Sequence, residues 1–238
     1  MENLIEGIPY ANLALAFIPI LVVVFIMYKW KLDYKKSIYA VARMLIQLML
    51  IGFSLAYIFE ATSFWIVIVV LMIMLLAASW ISLRTMKLNK MVLFKKCFIS
   101  ILVGGGLVLV LITQGVLVLD PWYLPRYMIP LGGMIFANSM NSISLAGERL
   151  ESEIAKGITY EKGRVIALNA ALIPITNSLL AVGLVSIPGM MTGQILSGVS
   201  PFIAARYQIM VMCMIFGSTG ISVSLFLSLI KPYFTNQK

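Results

Sequence analysis

The side chains in this sequence that could do chemistry are amides and hydroxyls set inside apolar runs. One run reads GGMIFANSMNSISLA and carries Asn138, Ser139, Asn141 and Ser142. A second reads ALIPITNSLLAVG and carries Thr176, Asn177 and Ser178, with Asn169 just upstream. An amide placed in hydrocarbon must find a partner, so polar groups there are costly and informative. Two uses are open. They can hydrogen-bond between helices, at roughly 0.6–2 kcal/mol per bond in a membrane, or they can line a path for a polar solute. Asn138, Ser139, Asn141, Asn177 and Ser178 are the candidates for such a path.

Two arginines stand near membrane depth. Arg43 lies about one turn inside an apolar run and can extend its head group to the interface. Arg206 opens the last run in PFIAARYQIM, with Gln208 beside it, where it can anchor the interface or meet an anionic substrate. The 16 methionines are scattered mostly through stretches such as VVLMIMLL, where Met is adaptable filling. Met190 and Met191 differ, because they sit with Gln194 in the uncharged segment IPGMMTGQILSGVSP. Thioethers bind Cu(I), which keeps a soft-metal role open for them. Met190, Met191, Gln194, Arg206 and Gln208 are the candidates for an outer gate or substrate contact.

No histidine is present, so the commonest transition-metal ligand and neutral-pH proton relay is missing. Cys97 and Cys213 lie in different apolar segments and suggest neither a disulfide nor a metal cage. The sequence holds no nucleophile–base pair, zinc-ligand spacing or phosphate-binding loop. It is expected to be a non-catalytic protein.

The elements that carry these residues follow from composition. Of 238 residues, 61% are hydrophobic and 11% are charged, against roughly 45–50% and about 25% in a soluble domain. So few polar side chains cannot cover a soluble surface. That excludes a nucleotide-binding domain or a large ectodomain and predicts an all-α, polytopic membrane protein forming one domain over 1–238. Spans of about 20 residues are expected near 9–28, 38–58, 63–83, 97–119, 127–146, 165–187 and 203–230, seven in all. The runs are continuous, not alternating, which excludes a β-barrel. The N-terminus, MENLIEGIPY, has no basic n-region, so the first run is expected to be a retained helix.

Orientation follows from Lys and Arg in the short loops. Lys29, Lys31, Lys35, Lys36, Arg84, Lys87, Lys90, Lys95, Lys96, Arg149, Lys156, Lys162, Arg164, Lys231 and Lys238 fall on one side, and only Arg126 on the other, with Glu2, Glu6, Glu60 and Asp120. The N-terminus is therefore expected outside and the C-terminus in the cytoplasm. The net charge of +9 is explained by those loops and anionic lipid, not by nucleic acid. The longest cytoplasmic loop, about 147–164, contains Leu150 and Ile154 four apart and Gly157 as a stop, which predicts a short amphipathic helix. The outer segment, about 187–201, has three glycines and two prolines but is too apolar for an ordinary loop. It is expected to dip into the membrane edge or plug a vestibule.

The segments GGMIFANSMNSISLAGERL and ITNSLLAVGLVSIPGMMTGQILSGVSPFIAARYQIMVM closely resemble the FetB/YbbM-type permeases, membrane subunits of ABC transporters that include plant aluminium-tolerance proteins. The resemblance runs from about Tyr127 to the C-terminus. It implies a multi-pass permease of the cytoplasmic (inner) membrane, paired as a homodimer with two copies of a separate ABC ATPase. ATP and Mg would bind that ATPase, and this chain would carry no cofactor. It further implies iron export, with UDP-glucose as the substrate proposed for plant relatives. The residues fit iron poorly: Fe(II) favours His, carboxylate or thiolate, and no acid lies inside a span. A hydrated, chelated or sugar-nucleotide substrate fits a neutral polar lining better, and Arg206 would suit a phosphate. A stand-alone channel or secondary carrier is the alternative, though a proton-driven carrier would normally need an intramembrane acid or His.

A permease also needs a cytoplasmic element that seats in the ATPase. Glu148, Arg149, Leu150, Glu151, Glu153, Ile154 and Gly157 are the candidates. Glu151 and Gly157 are six apart, as in the Glu-Ala-Ala…Gly loop of many ABC importers, although the rest of that motif does not match.

Overall fold

The computed structural model describes residues 8–60 and 63–235. Glu2, Glu6 and Lys238, which entered the orientation count, lie outside them. Among the described residues the chain is helical, with no strand and one isolated bridge between Val182 and Ser186. Contacts divide it into two units, one ending at Glu60 and one following it.

The first unit is a helical hairpin. Helix α1 (Tyr10–Leu15) gives way at Ala16–Phe17 to α2 (Ile18–Lys29), which restarts on Pro19, where a missing N–H costs nothing. The expected first span is therefore two helices. Helix α2 ends in a Schellman turn. The N–H of Leu32 donates to the Met27 carbonyl (2.9 Å) and that of Lys31 to Tyr28 (3.1 Å), with Lys31 in the left-handed region at φ 60°. Asp33 then caps α3 (Tyr34–Phe59) by accepting the Lys36 N–H. Large apolar side chains such as Phe25, Leu48 and Phe53 are exposed along both helices. That is the surface expected where lipid is the solvent.

The second unit is a bundle of α4 (Phe64–Ser82), α5 (Lys90–Val110), α6 (Pro125–Ala155), α7 (Tyr160–Ala181), α8 (Gly189–Leu196) and α9 (Pro201–Thr235). Helix α5 runs on into a π-helical turn over Leu111–Val116. The helices approach closely because small residues meet at the crossings. A Cβ on Gly104 of α5 would lie 2.5 Å from Ser222 Oγ and 2.7 Å from the Ser222 backbone nitrogen. The α5 and α9 backbones therefore touch there. Around this crossing the core is filled by Ile101, Ile135, Ile143, Val223, Phe226 and Ile230, all fully buried.

Among the described residues, six helical stretches are long and apolar enough to span a membrane: Tyr10–Lys29, Tyr34–Phe59, Phe64–Ser82, Lys90–Val116, Tyr160–Ala181 and Pro201–Phe234. The expected fifth span, now α6, is not among them, because its amides, hydroxyls and terminal charges lower its hydropathy. It is nonetheless 31 residues long, about 46 Å at about 1.5 Å per residue. One end of α6 lies with the start of α9, where Tyr127 and Tyr207 line one cavity. At the other end Glu151 meets Lys87, beyond the end of α4. Helix α6 thus runs the full height of this bundle.

The expected separate amphipathic helix after residue 147 is corrected: α6 continues unbroken to Ala155. Gly147 does not break it but makes room for Met86, whose Sδ would lie 2.6 Å from a Cβ there. The helix stops where expected, at Gly157 (φ 85°). The Ile158 N–H donates to the Glu153 carbonyl (3.1 Å) and the Gly157 N–H to Ile154 (2.9 Å), a second Schellman turn.

Candidate functional site

Helix α7 ends at Ala181, and a turn through Gly183 (φ 83°) leads to Pro188 and α8. The apolar segment at about 187–201 is therefore ordered as a short helix against the start of α9. Positive-inside counting places this end outside. Three adjoining cavities form around it.

The first, about 440 Å³, lies among α7, α8 and α9 and is lined by Leu179, Ile187, Met191, Gln208, Met212 and Cys213. The second, about 500 Å³, lies among α6, α8 and α9 and is lined by Arg126, Tyr127, Met134, Met190, Gln194 and Tyr207. The third, about 330 Å³, shares Gln208 and Met212 with the first and Met134 and Met190 with the second; Ser178 and Ser186 complete its polar lining. Together they make a vestibule with an apolar wall and few polar groups, the usual make-up of a small-ligand site.

Two of the polar groups in it are under-satisfied. Gln208 is only 6% exposed, and its Oε1 has no hydrogen-bond partner within the chain; nor has the buried Oε1 of Gln194. A buried acceptor without a donor costs about 1–3 kcal/mol. Two residues that line one vestibule thus each carry a buried, unsatisfied amide oxygen.

Of the outer-gate candidates, Met190, Met191, Gln194 and Gln208 all line the vestibule. Arg206 lines none of its three cavities. It is exposed, with its guanidinium 5.7 Å from the ring centroid of Phe202, one turn earlier on α9. The arginine in the vestibule is instead Arg126, beside Pro125 at the start of α6. Sequence reasoning missed it, along with Tyr127, Met134, Tyr207 and Met212. The available signal was that Arg126 is the lone basic residue among the outer loops.

The path candidates separate. Ser178 reaches the third cavity, its Oγ donating to the Pro174 carbonyl (3.0 Å). Asn138 is half-buried and donates back to the Met134 carbonyl of its own helix (2.8 Å). Ser139 is fully buried, with an Oγ that has no partner. Asn141 and Asn177 are exposed on the surface of the chain, as is Asn169.

At the opposite end the coupling candidates are braced from within. Glu151 accepts backbone N–H groups from Lys87 (2.9 and 3.1 Å) and Leu88 (3.1 Å). Glu153 is buried and pairs through Oε1 with Arg149 and Lys156, both at 3.1 Å. Leu150 is fully buried, and Ile154 packs near Gly163 of α7. Glu148, Arg149 and Gly157 are exposed. The start of α7 is tied to the end of α9, because Tyr160 donates to the Leu227 carbonyl and Glu161 pairs with Lys231 (2.6 Å).

Sequence relationships agree with this architecture. The family described as uncharacterised protein family UPF0014 matches residues 10–165 and 158–234. A UPF0014 membrane protein of Synechocystis is 35% identical, the match covering 84% of each chain. The probable iron export permease protein FetB of Escherichia coli is 34% identical over 98% of this chain and 93% of its own. Protein ALUMINUM SENSITIVE 3 of Arabidopsis thaliana is 32% identical over 88% of this chain and 81% of its own. No solved structure matches. The chain is a multi-pass, permease-like membrane protein and belongs to the UPF0014 family.

Proposed function

We propose that the chain is the membrane-spanning subunit of an exporter driven by a separate cytoplasmic ATPase, acting as a pair of copies that enclose a shared path. The observation that carries this is the exposure of Asn141, Asn169 and Asn177 on helices α6 and α7. Amides at membrane depth cannot face lipid cheaply. A water-filled path closed by a second copy gives them a solvent. The vestibule lies at the outer mouth of that path, and the exposed side chains at the cytoplasmic end of α6, Glu148 and Arg149, face the ATPase.

Metal export is the leading reading of the cargo, drawn from the name of the Escherichia coli relative, and iron is the named metal. A second reading, export of an anionic organic solute, is favoured by the second cavity. There Arg126, Tyr127, Gln194 and Tyr207 offer one fixed positive charge and several hydrogen-bonding groups. The deciding experiment is ATPase activity of the chain reconstituted in proteoliposomes with its candidate ATPase, titrated with ferrous iron and with UDP-glucose. Stimulation by iron alone supports the first reading. Stimulation by UDP-glucose alone, lost in Arg126→Gln, supports the second. A response to neither overturns both.

A further inference from the structure

Methionine is ordinarily filling, and most of the 16 here are consistent with that. Met86, packed against Gly147, is one example. Three behave differently. The 330 Å³ cavity is lined at once by Met134 from α6, Met190 from α8 and Met212 from α9. Methionines from three separate elements therefore line one small space. Gln208, 6% exposed, lines the same space, and its buried Oε1 has no partner within the chain. Met191 and Cys213 line the cavity next to it.

This donor set is soft and neutral. Thioether sulfur selects Cu(I) over the harder divalent ions, which prefer imidazole, carboxylate or water. Among the described residues no three His, Cys, Asp or Glu side chains cluster to hold a metal. Charge points the same way. Dehydrating an ion in a low-dielectric site rises with the square of its charge, and neutral ligands return no countercharge. A divalent or trivalent ion would stay in water, whereas a monovalent soft ion loses less hydration and gains sulfur bonds.

We propose that this cavity is a soft-metal site, taking one monovalent cation of the Cu(I) type on Met134, Met190 and Met212, with the Gln208 amide oxygen beside it. The claim concerns equilibrium binding to the chain alone, so it stands or falls separately from ATP-driven transport.

The test uses the full chain in nanodiscs under reducing conditions, titrated with Cu(I) against a colorimetric Cu(I) chelator. One Cu(I) per chain is expected, with an X-ray absorption spectrum dominated by sulfur neighbours and no retention of Fe(II). The double variant Met134→Leu with Met212→Leu keeps side-chain volume and should weaken binding at least tenfold. On the unsubstituted chain labelled at methionine methyls, Ag(I) should shift the Met134, Met190 and Met212 resonances and leave Met86 in place. Failure to retain Cu(I), equal affinity in the double variant, or Ag(I) shifts that spare these three methionines would each overturn the site.

Discussion

The Glu151 carboxylate accepts the backbone N–H groups of Lys87 and Leu88, at 2.9–3.1 Å, across a sequence separation of more than sixty residues. It ties the cytoplasmic end of α6 to the loop between α4 and α5, where the turn leaves those donors without helical partners. Hydrogen bonds to a charged acceptor contribute about 1.5–3 kcal/mol. Glu151→Ala should therefore lower stability by about 2 kcal/mol, and Glu151→Gln, with one acceptor oxygen left, by less. Thermal unfolding in detergent measures both. Equal midpoints for Glu151→Ala and the unsubstituted chain would remove the brace.

That bracing changes how coupling to an ATPase should be probed. A substitution at Glu151 or the buried Glu153 disturbs the fold as well as any docking surface. Glu148 is exposed on the same helix. Glu148→Arg should leave the unfolding midpoint within about 0.5 kcal/mol of its original stability and abolish stimulated ATPase activity in proteoliposomes. Full stimulation in a well-folded Glu148→Arg chain would mean that this face does not meet the ATPase.

The contact between Gly104 and Ser222 gives a packing prediction with an internal control. Gly104→Ala puts a methyl 2.7 Å from the Ser222 backbone nitrogen, which cannot swing aside. Overpacking of this kind costs about 1–3 kcal/mol. Gly106→Ala, two residues on, meets nothing nearer than Leu102 Cδ1 at 3.9 Å, and should be neutral or slightly stabilising. Refolding or steric-trap measurements on the two variants should differ accordingly.

The fold was largely legible in the sequence because its signals are one-dimensional. Apolar runs marked the helices, and Gly157 marked the end of α6. The remaining features depend on separations no pattern encodes. Gly147 reads as a loop residue until Met86 is seen against it. Glu151 reads as a surface charge until its partners near residue 87 are placed. In the vestibule, Gln208 and Met190 stand out in the sequence, Gln208 in the polar start of an apolar run and Met190 in an uncharged Gly/Pro segment. Arg126 enters the sequence reading only through the charge count, and Arg206 stays open there between an interface anchor and a substrate contact; in the structure Arg126 lines the vestibule and Arg206 lies over Phe202.

Lys31 provides a prediction for the first unit. It holds the left-handed position of the Schellman turn that ends α2, at φ 60°. A side chain there costs roughly 1 kcal/mol that glycine would avoid. Lys31→Gly should therefore stabilise the hairpin despite removing a basic residue. Slower amide exchange at Leu32 and Lys36 is the expected readout; faster exchange would show that the lysine makes a contribution larger than its backbone strain.

The exposed amides offer the sharpest test of a shared path. Asn177 lies on α7, four residues before its end at Ala181, and is exposed on the chain surface. If it faces lipid, a cysteine there will react poorly with a charged maleimide, because the thiolate that reacts does not form in hydrocarbon. If it faces a water-filled path, the cysteine will label readily. With Cys213 changed to Ser and the buried Cys97 retained, Asn177→Cys should label in intact vesicles at a rate comparable to an exposed loop position. Cross-linking by a short bifunctional reagent should then join two copies through that residue. Slow labelling, with Asn177→Leu transporting as well as the unsubstituted chain, would place Asn177 against lipid or another helix and take it out of the path.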